Sequence, residues 1–61
     1  RTAMVTTPYG EVSCKISAYK GQIVALSAEY EDCRRLAKEH GVPLKKVRRA
    51  ALSELERRLG D

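Results

Sequence analysis

Four basic side chains lie together where the sequence predicts the start of a helix, a position at which positive charge is unfavourable. The segment Gly41-Val42-Pro43 predicts the break before this helix. A helix N-terminus already carries roughly +0.5 of an elementary charge from its unpaired N–H groups, so it attracts anions and repels cations. We therefore expect an anionic ligand, with phosphate of a nucleotide or nucleic acid as the obvious class, although a solvated basic face screened by salt is the alternative. This basic cluster consists of Lys45, Lys46, Arg48 and Arg49.

Two cations outside the cluster are further candidates for phosphate contacts. Lys15 is predicted on the outward face of a strand, where the alternative is an ordinary surface lysine. Arg34 is favoured over its neighbour because Arg35 has Glu31 and Glu39 at the spacing of exposed helical ion pairs.

The aromatic residues and the candidate metal ligands predict a site less strongly than the basic cluster does. Tyr9, in a predicted turn, is expected to be exposed and to stack on a base, whereas Tyr30 is expected in the core. His40 is expected on a buried helical stripe as a structural histidine. Asp32 and Glu29 are candidates for binding a metal that accompanies a nucleotide, and the alternative is that they complement the dipole of the helix they begin.

The cysteines predict a reducing compartment. Cys14 falls in a strand-like alternation and Cys33 in a helical stripe, so both are expected to be small apolar core residues. With His40 they lack the close spacing of a zinc site. We expect a cytoplasmic protein, since the sequence has neither a signal peptide nor an apolar run long enough to span a membrane.

Length and net charge limit the number of domains and the kind of partner. The chain has 61 residues and a formal net charge of +4, with a pI near 9.4, which predicts one small domain over residues 1–61 with an anionic partner. Chains of this size bury little surface, so a partner subunit is the expected source of additional stability. Because the chain opens on Arg1, we expect a piece of a longer protein.

Hydrophobic periodicity predicts the order β-β-β-α-α. Strands are predicted over residues 4–7, 11–19 and 23–26, the first two joined by a Thr-Pro-Tyr-Gly turn and the third buried on both faces. Ser27 is the predicted N-cap of a first helix that ends at Gly41. Pro43 is the predicted first residue of a second helix that ends at Gly60. The inner face of this second helix is predicted to contain Leu44, Val47, Ala51, Leu55 and Leu59, flanked by Leu52.

Several segments resemble the C-terminal part of the LarC family of nickel insertion proteins. They are TPYGEV (residues 7–12), KI (15–16), EYEDCRRLA (29–37) and GVPLK (41–45) followed by Val47, in the family's order and spacing. The resemblance implies a ferredoxin-like α+β core in which this chain is a three-stranded antiparallel sheet followed by two helices.

Function is implied by the same resemblance. Family members insert nickel into a pyridinium bisthiocarboxylic acid mononucleotide, making the nickel-pincer nucleotide used by lactate racemase, in a CTP-dependent lyase (cyclometallase) reaction that needs Mg or Mn. Their C-terminal domain binds the nucleotide and forms oligomers. The chain alone is then not expected to be catalytic. The basic cluster with Tyr9, Lys15 and Arg34 would bind CTP, and Asp32 and Glu29 its metal.

Two other functional classes fit the residues. A DNA-binding helix-turn-helix is the first, because residues 36–47 place alanine, glycine and apolar positions suitably, although the strands precede the helices and His40 replaces an apolar residue. The second is a structural oligomerisation module, in which the basic cluster pairs with acidic residues of a neighbouring subunit. Nucleic acid is the less favoured partner.

Overall fold

The computed structural model describes residues 1–60 and has the predicted order of elements. The strands are β1 (Thr2–Thr7), β2 (Gly10–Tyr19) and β3 (Gln22–Ala28), and the helices are α1 (Tyr30–His40) and α2 (Leu44–Gly60). The strands form one antiparallel sheet in the order β1-β2-β3. The predicted α+β fold, a three-stranded antiparallel sheet followed by two helices, is confirmed.

The turn between β1 and β2 is held by a threonine and requires a glycine. The hydroxyl of Thr7 donates to the carbonyl oxygen of Gly10 at 2.7 Å and accepts from the N–H groups of Tyr9 and Gly10 at 3.1 and 3.2 Å. Gly10 has a φ of 136°, and a Cβ there would lie 2.8 Å from Cδ2 of Leu36 on α1. This turn therefore fixes where the first hairpin meets α1.

Both helices pack on one face of the sheet, and the core lies between the two layers. The predicted alternation in β2 is confirmed at its first three positions, and the predicted inner face of α2 is confirmed at its centre. The buried apolar residues are Val5, Val12, Cys14, Ile16, Cys33, Leu36, Ala37, Val47, Ala51 and Leu55.

The prediction that the third strand is buried on both faces is wrong. Ile23 is 48% exposed and Val24 63% exposed, and Ala18, the partner of Ile23 on β2, is exposed as well. The last buried residue of β2 is Ile16, and the strand register shifts between Ser17 and Ala18. The second hairpin therefore extends past the part of the sheet that the helices cover.

The start of α1 differs from the prediction. Ser27 lies in β3, and the N-cap is Glu29, whose side chain makes no capping hydrogen bond. Tyr30 is the first helical residue and is 60% exposed, so its predicted place in the core is wrong. A residue at the very start of α1 lies beside the end of the sheet rather than over it.

The boundary between the helices agrees closely with the prediction. Gly41 adopts the left-handed conformation that ends α1, with a φ of 62°, and the N–H of Val42 donates to the carbonyl oxygen of Ala37 at 3.0 Å. Pro43 directly precedes α2 instead of opening it. No helix in residues 1–60 is long and apolar enough to cross a membrane.

Candidate functional site

The basic cluster forms one continuous exposed face at the start of α2. At about 100° per residue, its four cations cover an arc of roughly 160°, and Val47 lies opposite them. Val47 is fully buried in the core, so the arc turns to solvent, and all four cations are exposed. The first turn of α2 contains no acidic residue. Within residues 1–60, none of the four side chains makes an ion pair.

Arg48 is a cation of this face whose charge acts on a buried group of α1. Burial raises the pKa of the Cys33 thiol, the negative charges of Asp32 and Glu29 raise it further, and the positive charge of Arg48 opposes the increase. One cation of the cluster and both candidate metal-binding carboxylates therefore act on the same buried group.

Tyr9 is less exposed than predicted, and the prediction that His40 is buried is wrong. Tyr9 is half-buried and packs against the core, whereas His40 is exposed. Their rings meet edge to face, with centroids 5.6 Å apart and planes at 70°. The contact holds the first turn of the sheet against the end of α1, beside the loop that leads into α2. Base stacking by Tyr9 stays a prediction, for a ring that is half-covered and already has an aromatic neighbour.

Lys15 is on the other side of the molecule. Its strand neighbours Cys14 and Ile16 point into the core, so Lys15 points to the face that the helices leave open. There it lines a cleft of about 300 Å³. The structure therefore does not bring Lys15 to the basic cluster, because the two lie on opposite layers. Arg34 is exposed on α1, two helical turns before its end.

The carboxylates at the start of α1 have structural partners. Oδ2 of Asp32 accepts a hydrogen bond from the backbone N–H of Ser13 at 2.9 Å, and Oδ1 lies 3.8 Å from Nη2 of Arg35. Arg35 also pairs with Glu39 at 3.6 Å, as its spacing predicted. Among residues 1–60, no group of three or more His, Cys, Asp or Glu side chains is arranged to hold a metal ion. Asp32 and Glu29 are not part of such a group within residues 1–60, and their role as metal ligands stays a prediction.

The family model for "Nickel insertion protein" matches residues 1–48 of the chain. The chain belongs to the nickel insertion protein family. Two similar relatives are pyridinium-3,5-bisthiocarboxylic acid mononucleotide nickel insertion proteins. The protein from Thermotoga sp. (strain RQ2) is 50% identical over 46 residues, which cover 75% of this chain and 11% of that protein. The protein from Clostridium kluyveri is 42% identical over 43 residues, which cover 70% and 11%.

A solved structure matches the fold of this nickel insertion family member. It is LarC2, described as the C-terminal domain of a cyclometallase involved in the synthesis of the NPN cofactor of lactate racemase, in its apo form. The match has a TM-score of 0.83 and 34% identity and covers 92% of this chain and 38% of that one. The resemblance to the C-terminal domain of the LarC family is confirmed. The chain spans about a tenth of the length of the curated relatives it matches.

Sequence reasoning missed the cleft around Lys15 as a unit. The signal was present in part, because the alternation that buries Cys14 and Ile16 places Ser13 and Ser17 on the same outward face as Lys15. What the pattern could not supply was the register of the neighbouring strands, which brings Thr2 and Ser27 to either side of Lys15.

Proposed function

We propose that this chain is the nucleotide-binding, self-associating C-terminal module of a nickel insertion protein that serves nickel-pincer nucleotide synthesis. CTP, accompanied by Mg or Mn, is the proposed nucleotide. Nickel and the pyridinium substrate are handled by the full-length protein, in which the proposed activity is that of a nickel-inserting lyase. Family membership supports the pathway, and the exposed basic cluster supports the nucleotide site.

The observation that carries the nucleotide proposal is the lack of a counter-charge at the start of α2. Lys45 and Lys46 lie in its first turn, which has no acidic residue. The repulsion between these cations and the helix dipole is relieved when an anion binds. Arg48 and Arg49 add planar guanidinium groups that can bind phosphate oxygens in pairs, while lysine contributes a compact charge. A polyphosphate chain lying along this arc satisfies both requirements.

The divalent ion is proposed to bind chiefly through the nucleotide. Mg is usually held by phosphates and waters with only one or two carboxylates. Residues 1–60 offer no ready-made cluster of donors, and the Asp32 carboxylate already accepts the N–H of Ser13. Glu29 and Asp32 remain the predicted carboxylates for the ion.

Self-association is proposed through the part of the sheet that the helices leave uncovered. Ile23 and Val24 expose apolar surface next to a second cleft, which also includes Ile16 and Ala18. Covering these side chains with another subunit removes apolar surface from water and adds stability that a chain of this length lacks.

Calorimetric titration of the 61-residue chain with CTP in Mg tests the nucleotide site. We expect saturable binding that the double variant Lys45→Gln/Lys46→Gln weakens by roughly tenfold or more, since two charge-assisted contacts are lost. The matched control Lys20→Gln/Lys38→Gln also removes two exposed lysines and should bind as the unmodified chain does. Equal loss in both variants would reduce the effect to net charge and contradict the proposal.

Two comparisons sharpen this test. Titration with ATP under the same conditions measures base selectivity, which the phosphate contacts alone do not provide. Titration with duplex DNA over a range of salt concentrations addresses the helix-turn-helix alternative, because phosphate-driven duplex binding weakens steeply as salt increases. Tight duplex binding without nucleotide binding would replace our proposal with that alternative.

A further inference from the structure

The open face of the sheet carries a row of polar side chains across all three strands. Thr2 of β1 pairs with Lys15 of β2, which pairs with Ser27 of β3. Side chains of paired residues point to the same face with their Cβ atoms about 4.5–5.5 Å apart, so Lys15 has a hydroxyl-bearing residue on either side. Ser13, two residues before Lys15 on the same strand, adds a third hydroxyl group to this side of the sheet.

This row is the floor of the cleft of about 300 Å³, and the start of α1 forms its wall. Glu29 and Tyr30 line the wall. The backbone N–H of Glu29 donates to the carbonyl oxygen of Ser13 at 2.8 Å, and the carboxylate of Asp32 accepts the N–H of Ser13 at 2.9 Å. Two hydrogen bonds therefore fix the wall to the floor, and the cleft exists before any ligand binds.

The groups in the cleft specify the chemistry of a ligand. Lys15 makes no ion pair within residues 1–60, so its charge is available to an anion. Thr2, Ser13 and Ser27 can donate to an anionic oxygen or accept from a ligand hydroxyl. The Glu29 carboxylate on the wall repels a second anionic group but accepts hydrogen bonds from hydroxyl groups. The volume is at the lower end of the range for small-molecule sites.

We propose that this cleft is a binding site for a small metabolite with one anionic group, phosphate or carboxylate, next to hydroxyl groups. The site is separate from the basic cluster, because the sheet lies between Lys15 and the helical layer that carries the cluster. The two sites share Glu29, which lines the cleft and is also a predicted carboxylate for the ion that accompanies the nucleotide.

Amide spectra of the ¹⁵N-labelled 61-residue chain test the proposal with three probes of one size. Glycerol 3-phosphate represents the phosphate source, glycerate the carboxylate source, and glycerol the same hydroxyl groups without charge. We expect saturable shifts of the Ser13, Lys15 and Ser27 amides with at least one of the two anions and none with glycerol. The anion that binds more tightly identifies the source.

Variants decide whether Lys15 carries the binding. Lys15→Gln should weaken the anion by roughly tenfold, and Lys15→Arg should retain it, since a cation remains. Lys20→Gln, which removes an exposed lysine from the next turn, is the matched control, and the amide spectrum of each variant reports that it is folded. Unchanged affinity in Lys15→Gln, shifts confined to residues 45–49, or no shifts with either anion would overturn the proposal.

Discussion

The carboxylate of Asp32 continues the hydrogen bonding of the sheet beyond the end of β3. Ser13 lies one residue before Cys14, whose partner Ala28 is the last residue of β3, so its N–H would otherwise have no strand partner. Oδ2 of Asp32 accepts this N–H at 2.9 Å, from 19 residues further along the chain. A residue of the first turn of α1 thus ties the helix to the centre of the sheet.

Removing this acceptor should destabilise the fold. We expect Asp32→Ala to lower the free energy of unfolding by about 1–3 kcal/mol, because the N–H of Ser13 loses its partner. Glu31→Ala removes an exposed carboxylate from the same helical turn and should cost about 0.5 kcal/mol or less. Urea denaturation of both variants measures the difference, and equal costs would show that Asp32 acts only through the helix dipole.

A side chain at position 10 should destabilise the fold. Gly10→Ala places a methyl group 2.8 Å from Cδ2 of Leu36, on a residue whose φ is 136°. We therefore expect the free energy of unfolding to fall by at least about 1–3 kcal/mol. Gly21 also has a positive φ, 79°, but has open space around it. Gly21→Ala therefore measures backbone strain alone. Thermal unfolding of the two variants separates strain from steric overlap, and a smaller loss for Gly10→Ala would contradict the close approach of Leu36.

Local periodicity predicted the elements well because each pattern is set by its own backbone geometry. Val12, Cys14 and Ile16 alternate, and Val47, Ala51 and Leu55 recur at helical spacing, so both core faces could be predicted from the sequence. The turn at Gly41 was predicted for the same reason.

Burial beyond these stripes depends on where the layers end, which no local pattern contains. Ile23 and Val24 form an apolar run typical of a buried strand, yet the helices stop short of them. Tyr30 keeps helical spacing with Cys33 but lies past the edge of the sheet. The residues predicted to form one site lie in two places for a similar reason. The sequence shows that Lys15 and the basic cluster are cationic, but it does not show that the sheet separates them.

The uncovered end of the sheet should contribute little to the stability of the isolated chain. We expect Leu55→Ala to cost about 2–5 kcal/mol in unfolding free energy, since Leu55 is 1% exposed in the core. Ile23→Ala, at 48% exposure on an edge strand, should cost about 1 kcal/mol or less. Urea denaturation at a protein concentration that keeps the chain monomeric makes the comparison. A large loss in Ile23→Ala under these conditions would contradict the exposure of this hairpin in the isolated chain.

Stability should fall in alkaline solution because of the two buried thiols. Burial raises the pKa of Cys14 and of Cys33, and the mutual effect of the thiols and the charge of Asp32 add to the shift of Cys14. The folded chain therefore holds its thiol protons more tightly than the unfolded chain. Their contribution is fully present below the unfolded thiol pKa, about 8.5, and is lost as pH rises above it.

Urea midpoints measured from pH 7 to pH 10 test whether stability decreases as pH rises. The double variant Cys14→Ala/Cys33→Ala keeps every other titrating group, so its stability should decrease less over the same range even if it starts lower. Parallel pH profiles for the two proteins would contradict the assignment of the decrease to the buried thiols.

The basic cluster should lower the free energy of unfolding as long as no anion is bound. Lys46 lies in the first turn of α2, so Lys46→Glu replaces a repulsive charge with one that suits the helix dipole. We expect a gain of about 0.3–1 kcal/mol in unfolding free energy at low salt, decreasing as salt screens it. Arg49→Glu makes the same change in charge beyond the first turn, where the dipole effect has fallen off, and should give little gain.

Both variants should lose affinity for CTP, so stability and binding change in opposite directions only in Lys46→Glu. Denaturation in low and high salt, with and without CTP, measures both effects. A destabilised Lys46→Glu chain would contradict the view that the basic cluster destabilises α2 until an anion binds.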